Sequence, residues 1–209
     1  MISQHHQSIR ISPSVLYFGT PIALITTLNP DRSPNISPMS SVWALGDRLV
    51  LGLGEDGQGC VNLLREREAV VNMPASDLHT AVEALAPTTG RSPVPERKRA
   101  IGFRHEADKF GLASLTPVPS DRVASPRIAE CPIQMEIRLL SAHRATRIGE
   151  DDPSFRFIEA QVVQVHAHDG IVITGTNHIS TDAWRPLLYV FRHYFGTGER
   201  LGRTFRAET

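Results

Sequence analysis

The sequence predicts a mainly β fold: an antiparallel β-barrel of Greek-key type with peripheral helices. Three observations carry this. About six or seven short apolar or alternating runs recur, bounded by Gly, Pro, Asn and Asp. Most successive runs are joined by connections of hairpin length. No strand–Gly-x-Gly-x-x-Gly–helix unit occurs, which disfavours a doubly wound nucleotide-binding sheet.

Taken in order, residues 1–14 form a polar arm, expected to be frayed and flexible. Pro21 to Leu28 is apolar at both parities, the pattern of a strand buried on both faces. After the turn Asn29–Ser33, Asn35 to Leu45 reads as a second strand. Gly46-Asp47, glycine first, suits a two-residue type II′ hairpin into a third strand, Arg48 to Leu53. Residues 60–67 read as a short helix. Ala69–Asn72 returns as a strand that Pro74 stops. Leu78, Val82 and Leu85 share one face of a predicted amphipathic helix over Ser76–Ala86.

Residues 87–127 differ in character. Six prolines interrupt them, with one predicted helix at Glu96–Phe103. They are read as a long ordered excursion that covers a site or clamps a neighbouring subunit. Phe103, Phe110, Leu112 and Leu115 supply the apolar anchors for its packing, too few for a core of its own. From Cys131 the β pattern resumes. Ile133, Met135, Ile137 and Leu139 alternate with polar residues, and Phe155 to His168 follows as another strand. Asp169-Gly170 predicts a type I′ turn into Ile171–Thr176. Asp182 to Phe195 reads as a C-terminal helix, with Pro186 in its first turn and Gly196 at its end. The folded domain is thus placed at 15–196, with a tail over 197–209.

Composition bounds the function. The chain has 209 residues, 22 basic and 22 acidic, for a formal net charge of zero, which argues against nucleic acid as a partner. No apolar run approaches the ~18 residues of a membrane span. Two cysteines, Cys60 and Cys131, do not make a disulfide framework. A cytoplasmic protein is expected.

Two segments carry chemistry. Gly54–Asn62 is a glycine-rich loop entering a helix, where bare backbone N–H groups can approach an anion. Glu55 and Asp56 would repel a phosphate if turned inward. The small polar residues of Asn35–Ser41 sit beside an apolar wall, the pairing needed by a flat heteroaromatic ring with a polar edge. His166 and His168 point to one strand face, but no neighbouring Cys, Asp or Glu completes a ligand set, so no metal is assigned. Trp43 and Trp184 read as packing anchors, and Cys60 as a small buried residue.

With these residues in view, the chain resembles the flavin reductase-like family of FMN-binding split barrels. The resemblance rests on Leu16–Pro21, Asn35-x-x-Pro38-x-Ser40-Ser41, Gly59-x-x-Asn62-Leu63 and Val71-Asn72-Met73-Pro74. It continues through Asp108–Leu112, Leu115–Ser120, Arg127–Pro132, Asn177-His178-Ile179, Trp184–Leu187 and Tyr194. It implies a homodimer with FMN at the subunit interface and NADH or NADPH as co-substrate; a partner oxygenase is unidentified. Asn35, Ser37, Pro38, Met39, Ser40 and Ser41 would line the ring and ribityl chain. Gly54, Glu55, Gly59, Cys60 and Asn62 would surround the phosphate. His178, Arg185 and Tyr194 would border the flavin.

The resemblance departs at one point. Many relatives carry a threonine where this chain has Gly59, and often a lysine or arginine where it has Gln58. Arg185 or Arg192 is expected to compensate. No catalytic acid or base is assigned. An NAD(P)H-dependent flavin reductase, a flavin-storage module and a barrel that has lost FMN all stay open.

Overall fold

The computed structural model describes residues 8–147 and 150–204. The chain forms β1 (Phe18–Pro21), β2 (Ala23–Leu28), β3 (Pro34–Met39), β4 (Val42–Leu45), β5 (Arg48–Gly54), helix α1 (Gln58–Glu66) and β6 (Glu68–Met73). A 3-10 turn over Ser76–Leu78 leads into α2 (His79–Leu85). The excursion holds β7 (Thr88–Thr89), α3 (Glu96–Ala100), β8 (Arg104–His105), α4 (Lys109–Ala113), β9 (Pro117–Val118) and β10 (Arg127–Ile128). Two long strands follow, β11 (Ile133–Arg147) and β12 (Glu150–Ala167), then β13 (Leu188–Val190) and β14 (His193–Phe195).

One seven-stranded sheet has the order β3-β2-β6-β11-β12-β5-β4, with antiparallel pairing throughout. Its two edges, β3 and β4, are consecutive in sequence and separated only by Ser40 and Ser41. The sheet therefore curls until its edges nearly meet, the open geometry of a split barrel. The single strand expected over Asn35 to Leu45 is thus two, one at each edge. The Gly46-Asp47 turn is as expected: Leu45 pairs with Arg48, and Gly46 takes φ +59°.

Alternation on β2 explains the two cores. Ala23 and Ile25 face inward with Leu49, Leu51, Leu63, Val71, Ile137 and Ile158. Leu24 faces outward into a second cluster with Ile36, Val82, Leu85, Phe110 and Leu115. All six β2 residues are buried, as the unbroken apolar run predicted. The excursion packs on the outside of the barrel through Phe110 and Leu115.

Three expected elements are absent: the type I′ turn at Asp169-Gly170, the strand over Ile171–Thr176 and the helix over 182–195. Asp169–Ile171 is a 3-10 turn. Gly170 does not take positive φ, and the Asp169 carboxylate accepts its N–H at 2.8 Å, so a type I′ turn cannot form. The segment 182–195 is not a helix. Its backbone pairs elsewhere: Ser76 N–H donates to the Arg185 carbonyl, Leu187 N–H to Pro74, and Ile22 N–H to Leu187. β13 then pairs with β1, and a tight turn at Phe191-Arg192 returns it as β14. Both turn residues have positive φ without being glycine, so no turn signal stood in the sequence.

Candidate functional site

A cleft of about 440 Å³ opens where the barrel is split. One wall is the β3–β4 crossing itself: Ser37, Pro38, Met39, Ser40 and Ser41. Gly52, Leu53 and Gly54 of β5 continue it, joined by the Gly52 N–H bond to the Ser41 carbonyl at 2.8 Å. The opposite wall comes from the excursion, through Thr88, Thr89, Gly90 and Phe103. Tyr17, Tyr189 and Tyr194 close one end. These are all the tyrosines in the chain, with ring centroids 5.2 Å apart for Tyr17–Tyr189 and 5.8 Å for Tyr189–Tyr194. The Tyr194 hydroxyl donates to Glu83 at 2.8 Å.

The charges are equally concentrated. The chain has only two lysines, Lys98 and Lys109, and both line the cleft beside Arg97. Lys109 is 3% exposed and donates to the Ile36 carbonyl at 2.7 Å. Burial, reinforced by Lys98, pulls its ammonium down to about 8. Burial likewise lowers Lys98, although Asp56 opposes the shift. Asp56 also lines the cleft and accepts from Arg97 at 3.0 Å, with Lys98 Nζ at 3.6 Å.

Of the residues singled out from sequence, Ser37, Pro38, Met39, Ser40, Ser41, Gly54 and Tyr194 line the cleft. Asn35 lies buried behind Ser37, to whose hydroxyl it donates at 3.2 Å. Gly59 packs on the same hydroxyl: a Cβ there would overlap Ser37 Oγ. The chain thus carries a hydroxyl from β3 in the space that a side chain on α1 would fill.

Five of the expected residues do not line the cleft: Glu55, Cys60, Asn62, His178 and Arg185. Asn62 is fully buried and committed within the fold: it accepts from Gln58 at 2.7 Å and donates to Thr27 at 3.1 Å and Asn29 at 2.9 Å. Glu55 turns away from the cleft, accepting from Arg156 at 2.5 Å and standing 3.2 Å from Arg144. The Cys60 thiol is buried and pushed up to about 11 by burial, so it is not a reactive thiolate. Arg185 is exposed, its guanidinium donating to the Thr181 and Trp184 carbonyls. His178 does not line the cleft; its carbonyl accepts from Ile173 N–H.

The cations that line the cleft, Arg97, Lys98 and Lys109, belong to the excursion, and Arg185 and Arg192 are not among its lining. A usable signal was the rarity of lysine in an arginine-rich chain. Trp43 is 56% exposed and does not serve as a packing anchor. His166 does have acidic neighbours: its Nε2 lies 2.7 Å from Glu136 and 3.9 Å from Asp121. Glu136 already accepts the backbone N–H groups of Asp121, Arg122 and Val123, so it holds that loop against the sheet.

Asn35 Oδ1 is buried without a hydrogen-bond partner, directly beside Gly90, where any Cβ would crowd it. Comparison with known proteins decides the family: residues 15–198 match the flavin reductase like domain. The chain belongs to the flavin reductase-like family. Uncharacterized protein YdfE of Bacillus subtilis (strain 168) is 44% identical over 199 residues, covering 95% of this chain and 94% of that one. Flavoredoxin from Methanosarcina acetivorans superposes with a TM-score of 0.76 at 16% identity, covering 96% and 97% of the two chains. Component B of nitrilotriacetate monooxygenase from Bacillus cereus gives 0.72 at 20% identity, covering 91% and 89%. These likenesses establish the split-barrel fold of a flavin reductase-like protein. Among the described residues, no helix is long and apolar enough to cross a membrane.

Proposed function

We propose that this flavin reductase-like protein binds FMN in the cleft and oxidises NADH or NADPH, as an NAD(P)H-dependent flavin reductase-type oxidoreductase. One observation carries the reading: every tyrosine, every lysine and the Ser37–Ser41 run converge on a single cleft in a member of this family. The tyrosines, Ile22 and Met39 offer apolar contact to a flat ring. The Ser37, Ser40 and Ser41 hydroxyls offer polar contact to its edge and to a ribityl chain. Arg97, Lys98 and Lys109 offset phosphate charge. Bound there, the flavin supplies the hydride-accepting chemistry, while the protein binds, orients and controls access.

The assembly proposed is a homodimer. Trp43 and Leu45 of β4 and Phe155 and Phe157 of β12 are exposed on one face of the sheet. Phe157 and Phe155 oppose Gly52 and Gly54, which also line the cleft, so the apolar face adjoins the site. A reducing, cytoplasmic setting accords with two free, buried cysteines. The reading is tested by loading the protein with FMN and mixing it anaerobically with NADH and with NADPH. Loss of the oxidised flavin band with at least one of them is expected. Bleaching by dithionite but by neither nicotinamide would leave a flavin-storage protein; failure to take up FMN would remove both readings.

A further inference from the structure

Asp56 stands where it opposes the ligand the cleft is built for. Three cations and one carboxylate line the cleft, a net of two positive charges in a chain whose formal net charge is zero. That excess matches a phosphomonoester, which carries about −1.5 to −2 at neutral pH. Yet Asp56 already occupies two of the cations. Its carboxylate accepts from Arg97 Nη2 at 3.0 Å and Nε at 3.4 Å, and it lies 3.6 Å from Lys98 Nζ.

The setting makes that pairing exchangeable. Arg97 and Lys98 sit on α3, a five-residue helix with no buried residue. The α3 helix therefore meets the glycine loop mainly through charge. The Arg97 side chain is 62% exposed, whereas that of Lys98 is 17% exposed and rests 5.6 Å over the Phe103 ring. Lys98 Nζ also lies within 3.6 Å of where a Cβ on Gly57 would stand. Gly57 precedes α1, and that helix has neither a side-chain cap nor an acidic residue in its first turn. A second, stronger anion at this point meets Lys98, Arg97 and the open start of α1 together.

We propose that Asp56 is an internal counter-anion that a phosphomonoester ligand displaces, transferring Arg97 and Lys98 from the carboxylate to the phosphate. The inference rests on the flavin reading of the cleft and adds a residue that sets its selectivity for the phosphorylated ligand. In the free protein Asp56 holds α3 over the glycine loop. In the complex α3 is held by the ligand, and Asp56 is released to solvent.

The experiment compares FMN and riboflavin, which differ by the phosphate, by flavin-fluorescence titration. Four proteins are used: wild type, Asp56→Asn, Arg97→Gln/Lys98→Gln, and all three changes combined. Circular dichroism establishes that each is folded. Removing the competing carboxylate should tighten FMN binding about three- to tenfold, the range expected for freeing a pair of partly exposed ion pairs. Riboflavin affinity should stay within about twofold, since no phosphate contact is involved. Without Arg97 and Lys98, Asp56→Asn should bring no gain.

Weaker FMN binding by Asp56→Asn would mean that Asp56 orients the cations rather than yielding them. A gain that persists without the two cations would mean simple repulsion. Either result overturns the exchange, as does FMN binding that Asp56→Asn leaves unmoved. If neither flavin binds any of the proteins, the flavin reading and this inference fall together.

Discussion

Ser37 Oγ fills the space that a side chain at position 59 would need. The hydroxyl on β3 and the missing side chain on α1 are therefore one complementary arrangement. Gly59→Ala should destabilise the fold by about 1–3 kcal/mol, because a methyl group is forced against Ser37 with little room to relax. Ser37→Gly in the same chain should restore most of that loss. Urea unfolding of the two variants and wild type checks both statements. A Gly59→Ala variant as stable as wild type would contradict the packing.

Asn62 is held within the fold. Its amide is bonded to Gln58, Thr27 and Asn29 in a fully buried position. Asn62→Ala should cost about 1–3 kcal/mol of stability, since it strands buried polar partners. Where the variant stays folded, its FMN affinity should lie near that of wild type. A variant of normal stability that has lost FMN would show that Asn62 meets the ligand directly.

Lys109 makes both stability and binding depend on pH, with opposite signs. Burial lowers its folded value to about 8, from an ordinary 10.5. Between these values the unfolded chain holds a proton that the folded chain has lost, so this group's contribution to stability rises with pH in that window. FMN affinity should instead fall above about pH 8 as the ammonium is neutralised. Titration over that range should show the fall in wild type, and Lys109→Met should flatten it.

Glu136 secures the loop at 121–123. Burial alone would raise its carboxyl, but backbone N–H groups and His166 outweigh it and hold the group below the usual 4.5. A depressed folded value gives stability that is full above 4.5 and lost as pH falls through the folded value. Glu136→Gln should lower stability at neutral pH by about 1.5–3 kcal/mol, the worth of hydrogen bonds to a charged group. It should also reduce the acid sensitivity of unfolding.

Much of the barrel was legible because periodicity reports burial directly. β2 reads as apolar on both faces and lies between two cores; β11 alternates in sequence, yet its polar residues Gln134 and Glu136 are buried while Ile133 and Met135 are only partly so. The errors arose where tertiary pairing outweighs local signals. Segment 182–195 has a cap-like Asp182 and a helix-compatible Pro186, yet its backbone is taken by Pro74–Ser76 and β1. The turn at Phe191-Arg192 lacks glycine and is invisible to turn rules. In the site, the Ser37–Ser41 wall was legible from small polar residues beside an apolar run. Arg97, Lys98 and Lys109 could not be placed there, although the two lysines stood out by their rarity, because only the folding of a proline-rich excursion over the barrel brings them to the cleft.

The exposed face of β4 and β12 should be a subunit contact. Sedimentation of wild type should show a dimer, and Trp43→Glu/Phe157→Lys should shift it toward monomer while preserving the β-sheet circular dichroism signal. A wild-type monomer would remove the proposed assembly.

The most direct measurement is a crystal structure of the protein grown with FMN. The isoalloxazine ring is expected against Ser37–Ser41 and the tyrosines, with the phosphate reaching Lys98. A ligand bound elsewhere, or that space closed by the protein's own chain at saturating FMN, would contradict it.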